Sequence, residues 1–354
     1  MELATRRHEV DAVRVIALGL LILYHIVCGF QPWAPYIYFI SNEHSLENLW
    51  VFMELINVWR IPILFVVSGM GVCFAMERRG WLQVIKERSF RILLPYVFGF
   101  FFLVPIYFNI FFSYYDKPQA YWPGPGHLWF LFNIFVYVLA LLPILTYLKN
   151  HPENSLIQFV SAVVSKPLGL LFLFAIPVMA ETVLINPDSF SNYVLQPVHG
   201  LLLGLVCFFY GFVFVSLKET FWNAVKSVKF LTLGLAFLLY LVRVVIPEVF
   251  PWKSISTLFV AFESTCWMLS VLGFSATYLF KPTKILSYLS SAVYTVYIFH
   301  FPVQALSSTY IFPLSISPYI KLLMMLITTY AGSLLLFEFV KRIKWIRFFF
   351  GIKF

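Results

Sequence analysis

The chain has 354 residues, of which 61% are hydrophobic and 12% are charged, with a formal net charge of +9. Soluble globular proteins carry about twice that charged fraction, so the composition excludes a soluble fold. We therefore predict an all-α, polytopic membrane helical bundle that forms a single domain over residues 1–354, with the lipid bilayer as its solvent.

Apolar runs long enough to cross a bilayer recur along the whole chain. The first run follows basic residues, as in a signal peptide, but no small-residue cleavage site follows it, so we expect a retained helix. The four cysteines lie inside apolar runs without a C-x-x-C pair, and we expect them to be buried rather than bound to metal. We interpret ten runs as transmembrane helices, near residues 12–30, 49–76, 91–112, 127–148, 167–185, 197–217, 230–246, 255–280, 286–306 and 319–340.

The distribution of lysine and arginine sets the expected orientation. With the N-terminus in the cytoplasm, nineteen of the 25 basic residues fall in cytoplasmic segments and three fall on the opposite side. Cytoplasmic loops of membrane proteins carry this excess of positive charge. The asymmetry predicts that both termini are cytoplasmic, and it explains the basic charge without a nucleic-acid partner.

The first span, "RVIALGLLILYH", carries two ionisable residues, Arg14 and His25. Their separation places them within about 20° of each other around a helix and about 16 Å apart along its axis. Intramembrane ionisable groups are costly and normally face the protein interior or a wet cavity. A structural role stays open, with Arg14 reaching the interface and His25 hydrogen-bonded in the core.

The second and third spans add further polar groups. The second span has Arg60 three residues after Asn57, on one side of the expected helix, and then reads "IPILFVVSGM" with Ser68 toward its cytoplasmic half. The third opens with "ERSFRILLPY", which places Arg88 and Arg91 at the cytoplasmic entrance. This arginine pair is explained either by the excess of cytoplasmic positive charge or by a phosphate site, because guanidinium groups match phosphate geometry.

The fourth span follows an outer loop rich in proline and glycine, "WPGPGHLWFLF". This loop leads into His127 and Trp129. An aromatic anchor at the membrane interface explains Trp129, whereas His127 has no such simple explanation.

Two later spans carry Glu181 and the segment "SSAVYTVYIFH", which contains Tyr297 and His300. His25, Glu181 and His300 each lie about 14 residues, or roughly 21 Å, from the cytoplasmic start of their helix. Lone polar groups in spans often form interhelical hydrogen bonds, and that role stays open for each. Their common depth favours one shared site.

These stretches together resemble the acyltransferase-3 family of integral membrane O-acyltransferases. The matching segments are "DAVRVIALGLLILYH", "WRIPILFVVSG", "RSFRILLPY", "HLWFLFNIFVY" and "SAVYTVYIFHFP". The resemblance covers the whole chain, with spans five to eight matching only in hydropathy. The opening "HEVDAVRV" is most similar to the branch that succinylates periplasmic glucans.

The resemblance implies a ten-span enzyme of the bacterial cytoplasmic (inner) membrane that moves an acetyl or succinyl group. The donor is cytoplasmic acyl-CoA, a co-substrate rather than a resident cofactor, and the acceptor is a hydroxyl of an extracytoplasmic glycan or polysaccharide; no metal is expected. His25 matches the family's essential histidine and Arg14 its partner, while Arg88, Arg91 and Ser68 match the donor-side motifs. Arg14 is also a candidate for donor binding. We add Glu181 and His300 as catalytic candidates. Candidates for acceptor binding are Arg60, His127, Trp129 and Tyr297.

The chemistry fits this assignment. Arginines at the cytoplasmic face would hold the anionic end of acyl-CoA, and the neutral imidazole of His25 would take the proton from the attacking hydroxyl. A proton-coupled transporter of a small polar or anionic solute is the alternative. Such a transporter is expected to show inverted repeats and broken helices in matching halves, which the sequence does not display.

Overall fold

The computed structural model describes residues 7–245 and 253–352, and every regular element within those ranges is helical. Two predicted cytoplasmic cations, Arg6 and Lys353, lie outside the described residues. The α-helices are α1 His8–Cys28, α2 Trp50–Asn57, α3 Arg60–Arg78, α4 Trp81–Arg88, α5 Leu94–Phe98, α6 Val104–Tyr114, α7 Trp129–Asn150, α8 Ser155–Val164, α9 Gly169–Ile185, α10 Pro197–Ser216, α11 Glu219–Val245, α12 Lys253–Tyr278, α13 Lys284–Ile311, α14 Pro318–Arg342 and α15 Lys344–Phe349.

The all-α membrane fold class is confirmed. Within the described residues, eight helices or helical runs are long and apolar enough to cross a membrane, and the α8–α9 pair, bent by 117°, adds a ninth candidate. In a bilayer the backbone must satisfy its own hydrogen bonds, and helices do so within one segment. The predicted span at 286–306 lies in the 28-residue α13, which falls outside those candidates and buries polar groups along its length. The cytoplasmic placement of both termini stays a prediction.

The chain forms two compact units, each assembled from three stretches. Unit 1 comprises Met1–Ala17, Leu55–Ile85 and Val136–Ser287, and unit 2 comprises Leu18–Glu54, Lys86–Phe135 and Tyr288–Phe354. Helix α1 contributes to both, with Arg14 in unit 1 and His25 in unit 2. The single domain expected from the sequence stays a prediction.

Close helix packing in unit 1 depends on glycine. A Cβ atom on Gly69 of α3 would collide with the carbonyl oxygen of Phe208 in α10. A Cβ atom on Gly211 of α10 would collide in turn with the carbonyl oxygen of Val66. Small residues let membrane helices approach backbone to backbone. Gly69, which follows Ser68 in the "WRIPILFVVSG" segment, therefore has a packing role.

An ion pair between the half-buried Arg243 and the buried Glu263 links the next two helices of unit 1. Arg243 of α11 donates from Nε to Glu263 Oε2 at 2.9 Å and from Nη2 to Glu263 Oε1 at 3.1 Å. Trp267 Nε1 also donates to Oε1, at 3.2 Å. Both carboxylate oxygens therefore have charged or polar partners, as a buried carboxylate requires.

Unit 2 contains the C-terminal part of α1, from Leu18 onward, together with α6, most of α13, and α14. The hydroxyl of Tyr330 in α14 donates to the carbonyl oxygen of Gly19 in α1 at 2.6 Å. At the start of α14, the buried Lys321 donates to Asn42 Oδ1 at 3.1 Å and to the carbonyl oxygen of Phe312 at 2.6 Å. These bonds fix α14 against α1 and the following loop.

Candidate functional site

Two histidines from different helices meet in unit 2. His25 of α1 and His300 of α13 approach to 3.0 Å between Nδ1 and Nε2, and their rings stack with centroids 5.2 Å apart. His300 is fully buried, whereas His25 is half-buried. The pair thus has one enclosed ring and one ring within reach of a substrate.

A backbone carbonyl determines which nitrogen atoms of the pair carry hydrogen. His300 Nδ1 lies 2.6 Å from the carbonyl oxygen of Tyr297, which can only accept, so Nδ1 is the protonated nitrogen. His300 Nε2 is then an acceptor, and the bond from His25 requires hydrogen on His25 Nδ1. In the neutral imidazole of His25, Nε2 is therefore the basic nitrogen.

A third histidine, His127, lies beside the pair and is hydrogen-bonded to a carbonyl group of α13 that lacks its usual helical partner. Pro302 has no N–H group, so the carbonyl of Ile298 loses its usual partner four residues ahead in α13. His127 Nε2 lies 3.2 Å from that oxygen and donates to it. The His127 ring stacks on Phe301 at 4.5 Å and lies 5.1 Å from the ring of His300.

The loop before α7 delivers His127 by running back along the preceding helix. Tyr121 donates from its hydroxyl to the carbonyl oxygen of Phe101 at 2.9 Å, and the backbone N–H of Gly124 donates to that of Phe100 at 3.3 Å. Both acceptors lie in the π-helical stretch Gly99–Leu103, where the regular ladder of helix bonds is interrupted. The loop rich in proline and glycine is therefore hydrogen-bonded to the middle of the helical run Trp81–Tyr114 and not to its end.

Tyr297 supports two of the three histidines. Its carbonyl accepts from His300, and its buried hydroxyl donates to the carbonyl oxygen of His127. The sequence pattern grouped Tyr297 with His300, and the structure adds His127 to that group. The four predicted residues His25, His127, Tyr297 and His300 thus lie together.

Sequence reasoning missed Gln304, one turn beyond His300. Its Nε2 donates to the carbonyl oxygen of His25 at 2.7 Å, which ties α13 to α1 at the histidine pair. The side chain borders a cavity of about 10 Å³ that Phe39 and Phe301 also line. A polar residue at i+4 from His300 on a buried face was the signal available in the sequence.

The two arginines of the R-x-x-R motif lie where α4 passes into the π-helical stretch Ser89–Leu93. Arg91 donates from Nη1 to Glu87 Oε1 at 3.3 Å, and its side chain is 40% exposed. Arg88 is half-buried, and its Nε is enclosed. The guanidinium of Arg91 is therefore held from one side and accessible to an anion.

Arg14, the predicted partner of His25 along α1, has a local partner. It donates from Nη1 to Asp11 Oδ1 at 3.1 Å, and both side chains are half-buried. This pair lies one turn apart on α1, in unit 1. Its role in binding the donor stays a prediction.

Glu181, predicted to act beside the histidines, contacts a histidine that the sequence analysis did not select. Its Oε1 lies 2.9 Å from His199 Nδ1, and both side chains are buried in unit 1. His199 Nε2 lies 2.8 Å from the carbonyl oxygen of Phe190, so that nitrogen carries hydrogen. One further proton must lie between Nδ1 and Oε1, because two lone pairs would otherwise face each other. Only a lone histidine in the run "QPVHGLLL" marked this residue in the sequence.

The second predicted span is one helical run over Glu47–Arg78, interrupted by a two-residue turn between α2 and α3. The break at Val58 and Trp59 makes Arg60 the first residue of α3. Arg60 is buried and donates from Nη1 to the side-chain and backbone oxygens of Asn57. The carbonyl of Val58 accepts from Tyr193 at 3.2 Å and from Ser264 at 2.8 Å. Polar side chains thus satisfy the backbone that the break releases.

The other two predicted site residues occupy simpler surroundings. Ser68 donates from Oγ to the carbonyl oxygen of Leu64 at 2.6 Å, within its own helix. Trp129 is the half-buried first residue of α7, two residues after His127. Their assignments to donor and acceptor binding stay predictions. Within the described ranges, no group of three or more histidine, cysteine or acidic residues has a geometry that would hold a metal ion.

Comparison with known proteins decides the family. The sequence profile of the acyltransferase-3 family, described as an acyltransferase domain, matches residues 7–338. The chain belongs to the acyltransferase-3 family. The histidine cluster therefore lies in a multi-pass membrane acyltransferase, and family membership favours this function over the transporter alternative.

Two relatives of this acyltransferase share a descriptive name. Glucans biosynthesis protein C of Escherichia coli strain K12 is 23% identical over 372 residues, covering 99% of this chain and 95% of that protein. The protein of the same name from Shigella dysenteriae serotype 1 strain Sd197 is 24% identical, with the same coverage. The similarity thus extends over nearly the full length of both chains, in agreement with the resemblance found in the motifs.

Proposed function

We propose that this acyltransferase moves an acetyl or succinyl group from cytoplasmic acyl-CoA to a hydroxyl group of an extracytoplasmic glycan. The proposed setting is the bacterial inner membrane. The observation that carries the catalytic part is the hydrogen-bonded chain from the Tyr297 carbonyl through His300 to His25. This chain orients the half-buried ring of His25 and leaves Nε2 as its basic nitrogen.

The reaction follows from that arrangement. A glycan hydroxyl gives its proton to His25 Nε2 while its oxygen attacks the thioester carbonyl carbon of the donor. The tetrahedral intermediate then loses the CoA thiolate, the carbon–sulfur bond breaks, and the thiolate takes the proton from the His25 imidazolium. During this cycle His300 accepts the Nδ1–H bond of His25 and keeps the ring in one orientation.

The donor site is proposed at the R-x-x-R motif. Arg91 presents a partly exposed guanidinium, and Arg88 lies one turn before it. Guanidinium groups bind phosphate oxygens through two parallel hydrogen bonds, which suits the nucleotide end of CoA. The donor-binding roles of Arg14 and Ser68 stay separate predictions from the sequence. The acyl donor is a co-substrate that leaves as CoA after each turnover.

The acceptor is proposed from the name of the relatives, which links those proteins to glucan biosynthesis. The loop that carries His127 has exposed aromatic side chains at Tyr121 and Trp122. Aromatic faces pack well against sugar rings because both present apolar C–H surfaces. We place acceptor binding at this loop, with Trp129 and Arg60 as further candidates.

Purified protein in lipid nanodiscs tests the reaction directly. It is incubated with labelled acetyl-CoA or succinyl-CoA and a glucan oligosaccharide, while released thiol and labelled glucan are both measured. We expect thiol release that depends on the glucan and is lost in His25→Ala. The exposed His151 provides the matched control, because His151→Ala should retain the parental rate. Label transfer at the parental rate in His25→Ala protein would overturn the role of His25.

Calorimetry with CoA tests the donor site separately. Arg88→Ala and Arg91→Ala should each weaken binding by roughly tenfold, the equivalent of one charge-assisted hydrogen bond. Arg91→Lys should restore only part of the affinity, since lysine lacks the planar fork. The exposed Arg78 supplies a control for general loss of positive charge. Equal losses in Arg78→Ala would remove the case for a specific phosphate site.

A further inference from the structure

The C-terminal helix α15 packs against the segment that carries the R-x-x-R motif. The ring of Phe348 lies 5.3 Å from the ring of Phe90, which directly precedes Arg91. The ring of Phe349 lies 5.2 Å from that of Phe98. Phe98 ends α5, one element beyond the π-helical stretch Ser89–Leu93. Both contacts lie within unit 2, so the C-terminal segment lines the helix that presents Arg91.

Phe350 extends this packing toward the catalytic pair. It is buried, with its ring 5.3 Å from Phe98 and stacked at 4.7 Å on Phe299. Phe299 immediately precedes His300 in α13. Phe98 and Arg91 are seven residues apart, or about 10 Å along a helix axis. One short segment therefore contacts both the helix of the proposed donor site and the helix of the catalytic pair.

Gly351 closes the segment onto the backbone of the arginine motif. Its φ of +63° lies in the left-handed region that favours glycine. A Cβ atom there would lie 2.7 Å from the Cα atom of Arg91 and 2.9 Å from the carbonyl oxygen of Phe90. Both obstacles are backbone atoms, which cannot rotate away as a side chain does. Only glycine allows this approach without moving Arg91.

We propose that the C-terminal segment Phe348–Gly351 is a positioning element of the donor site, which holds the backbone of Arg91 at the place where its guanidinium meets the CoA phosphates. The identity of the donor rests on the proposed function. What is new is that donor affinity depends on Gly351, a glycine 260 positions beyond Arg91 in the chain that the fold brings against the third span. The segment touches no reacting atom, so its effect belongs to donor binding and not to the chemical step.

Gly351→Ala tests the positioning role, with Gly80→Ala as the matched control. Gly80 directly precedes α4, and a Cβ atom there meets nothing within 4 Å. In Gly351→Ala we expect the dissociation constant for CoA and the KM for acyl-CoA to rise by roughly tenfold, while kcat and the KM for the glucan stay unchanged. Backbone amides in the peptide covering residues 89–95 should exchange hydrogen faster. Gly80→Ala should behave as the parent in every measurement.

A second variant protects the test against a folding defect. A chain that ends after Phe350 removes Gly351 without introducing a clash, and it should show the same separation between donor KM and kcat. Parental CoA affinity in both variants, with the parent binding CoA, would overturn the positioning role alone. A parent protein without CoA affinity would overturn the proposed donor, and the positioning role with it.

Discussion

Two buried histidines of this protein are paired in contrasting ways. In unit 2, His300 accepts a hydrogen bond from His25 and donates one to the carbonyl oxygen of Tyr297. His25 itself is half-buried. In unit 1, His199 lies between Glu181 and the carbonyl oxygen of Phe190, and the whole pair is enclosed. The hydrogen bonds in unit 2 therefore end at a neutral carbonyl group, whereas those in unit 1 include a carboxyl group.

The two arrangements lead us to expect different roles for the two pairs. A chain that ends on a carbonyl fixes the neutral tautomer and leaves a basic nitrogen at its accessible end. A carboxyl–histidine pair that is fully enclosed shares its proton internally and contributes to stability, and breaking it leaves an uncompensated buried group. Variants of His25 and His199 separate these two roles.

The largest expected effect on activity comes from His25. His25→Ala should lower kcat by about 100-fold or more, because the proposed base for the hydroxyl proton is lost. Thermal stability in detergent should stay close to that of the parent, since the side chain is only half-buried. Glucan acylation assays and a thermal unfolding scan on the same preparation provide both values. If His25→Ala also lowered the thermal unfolding temperature strongly, the loss of activity would be explained by a structural role of His25.

The reverse pattern is expected for His199. His199→Ala should lower the free energy of unfolding by about 3 kcal/mol, because the buried carboxyl of Glu181 loses its partner. Glu181→Gln should be milder, since the amide N–H can donate to His199 Nδ1. The measurements are thermal unfolding and kcat per folded molecule. If folded Glu181→Gln protein has lost its activity, the catalytic role that the sequence analysis gave Glu181 gains support over the structural one.

His300 should show an intermediate effect on catalysis. His300→Ala removes the acceptor for His25 Nδ1–H and should lower kcat by roughly tenfold, about the value of one neutral hydrogen bond. His300→Gln places an amide oxygen near the position of Nε2 and should recover part of this loss. CoA affinity should be unchanged in both variants. An equal kcat in the alanine and glutamine variants would argue against orientation of His25 by a hydrogen bond.

The smallest effect is expected at Pro302. Pro302→Ala supplies an N–H group that competes with His127 for the carbonyl oxygen of Ile298, so His127 is held less firmly. We expect a loss of less than about tenfold in kcat and a change of about 1 kcal/mol in stability. Pro177→Ala, another proline inside a helix, serves as the control with unchanged kcat. A greater loss in the control would trace the effect to helix bending rather than to His127.

The sequence identified most members of the histidine cluster but not their connections. His25, His127, Tyr297 and His300 stand out because polar groups are rare in apolar runs, and that rarity is visible in one dimension. The partner of Glu181 was not predicted, because His199 lies in a separate span and nothing in its local pattern points to a carboxylate. The interruption before Arg60 was also missed, although Pro62 marks it, because Pro62 has no N–H group for the carbonyl oxygen of Val58 four residues earlier.

Composition and hydropathy determined the fold class of this protein, because a bilayer accepts helices whose backbone bonds are satisfied within each segment. The motifs also indicated the family, which the match over residues 7–338 confirmed. The tertiary structure alone decided which carbonyl oxygens fix the histidine tautomers, and that the loop with His127 runs back along the third span. It also brought Gly351 against Arg91, 260 positions apart in the chain. Such contacts depend on backbone breaks and helix crossings, which hydrophobic periodicity does not encode.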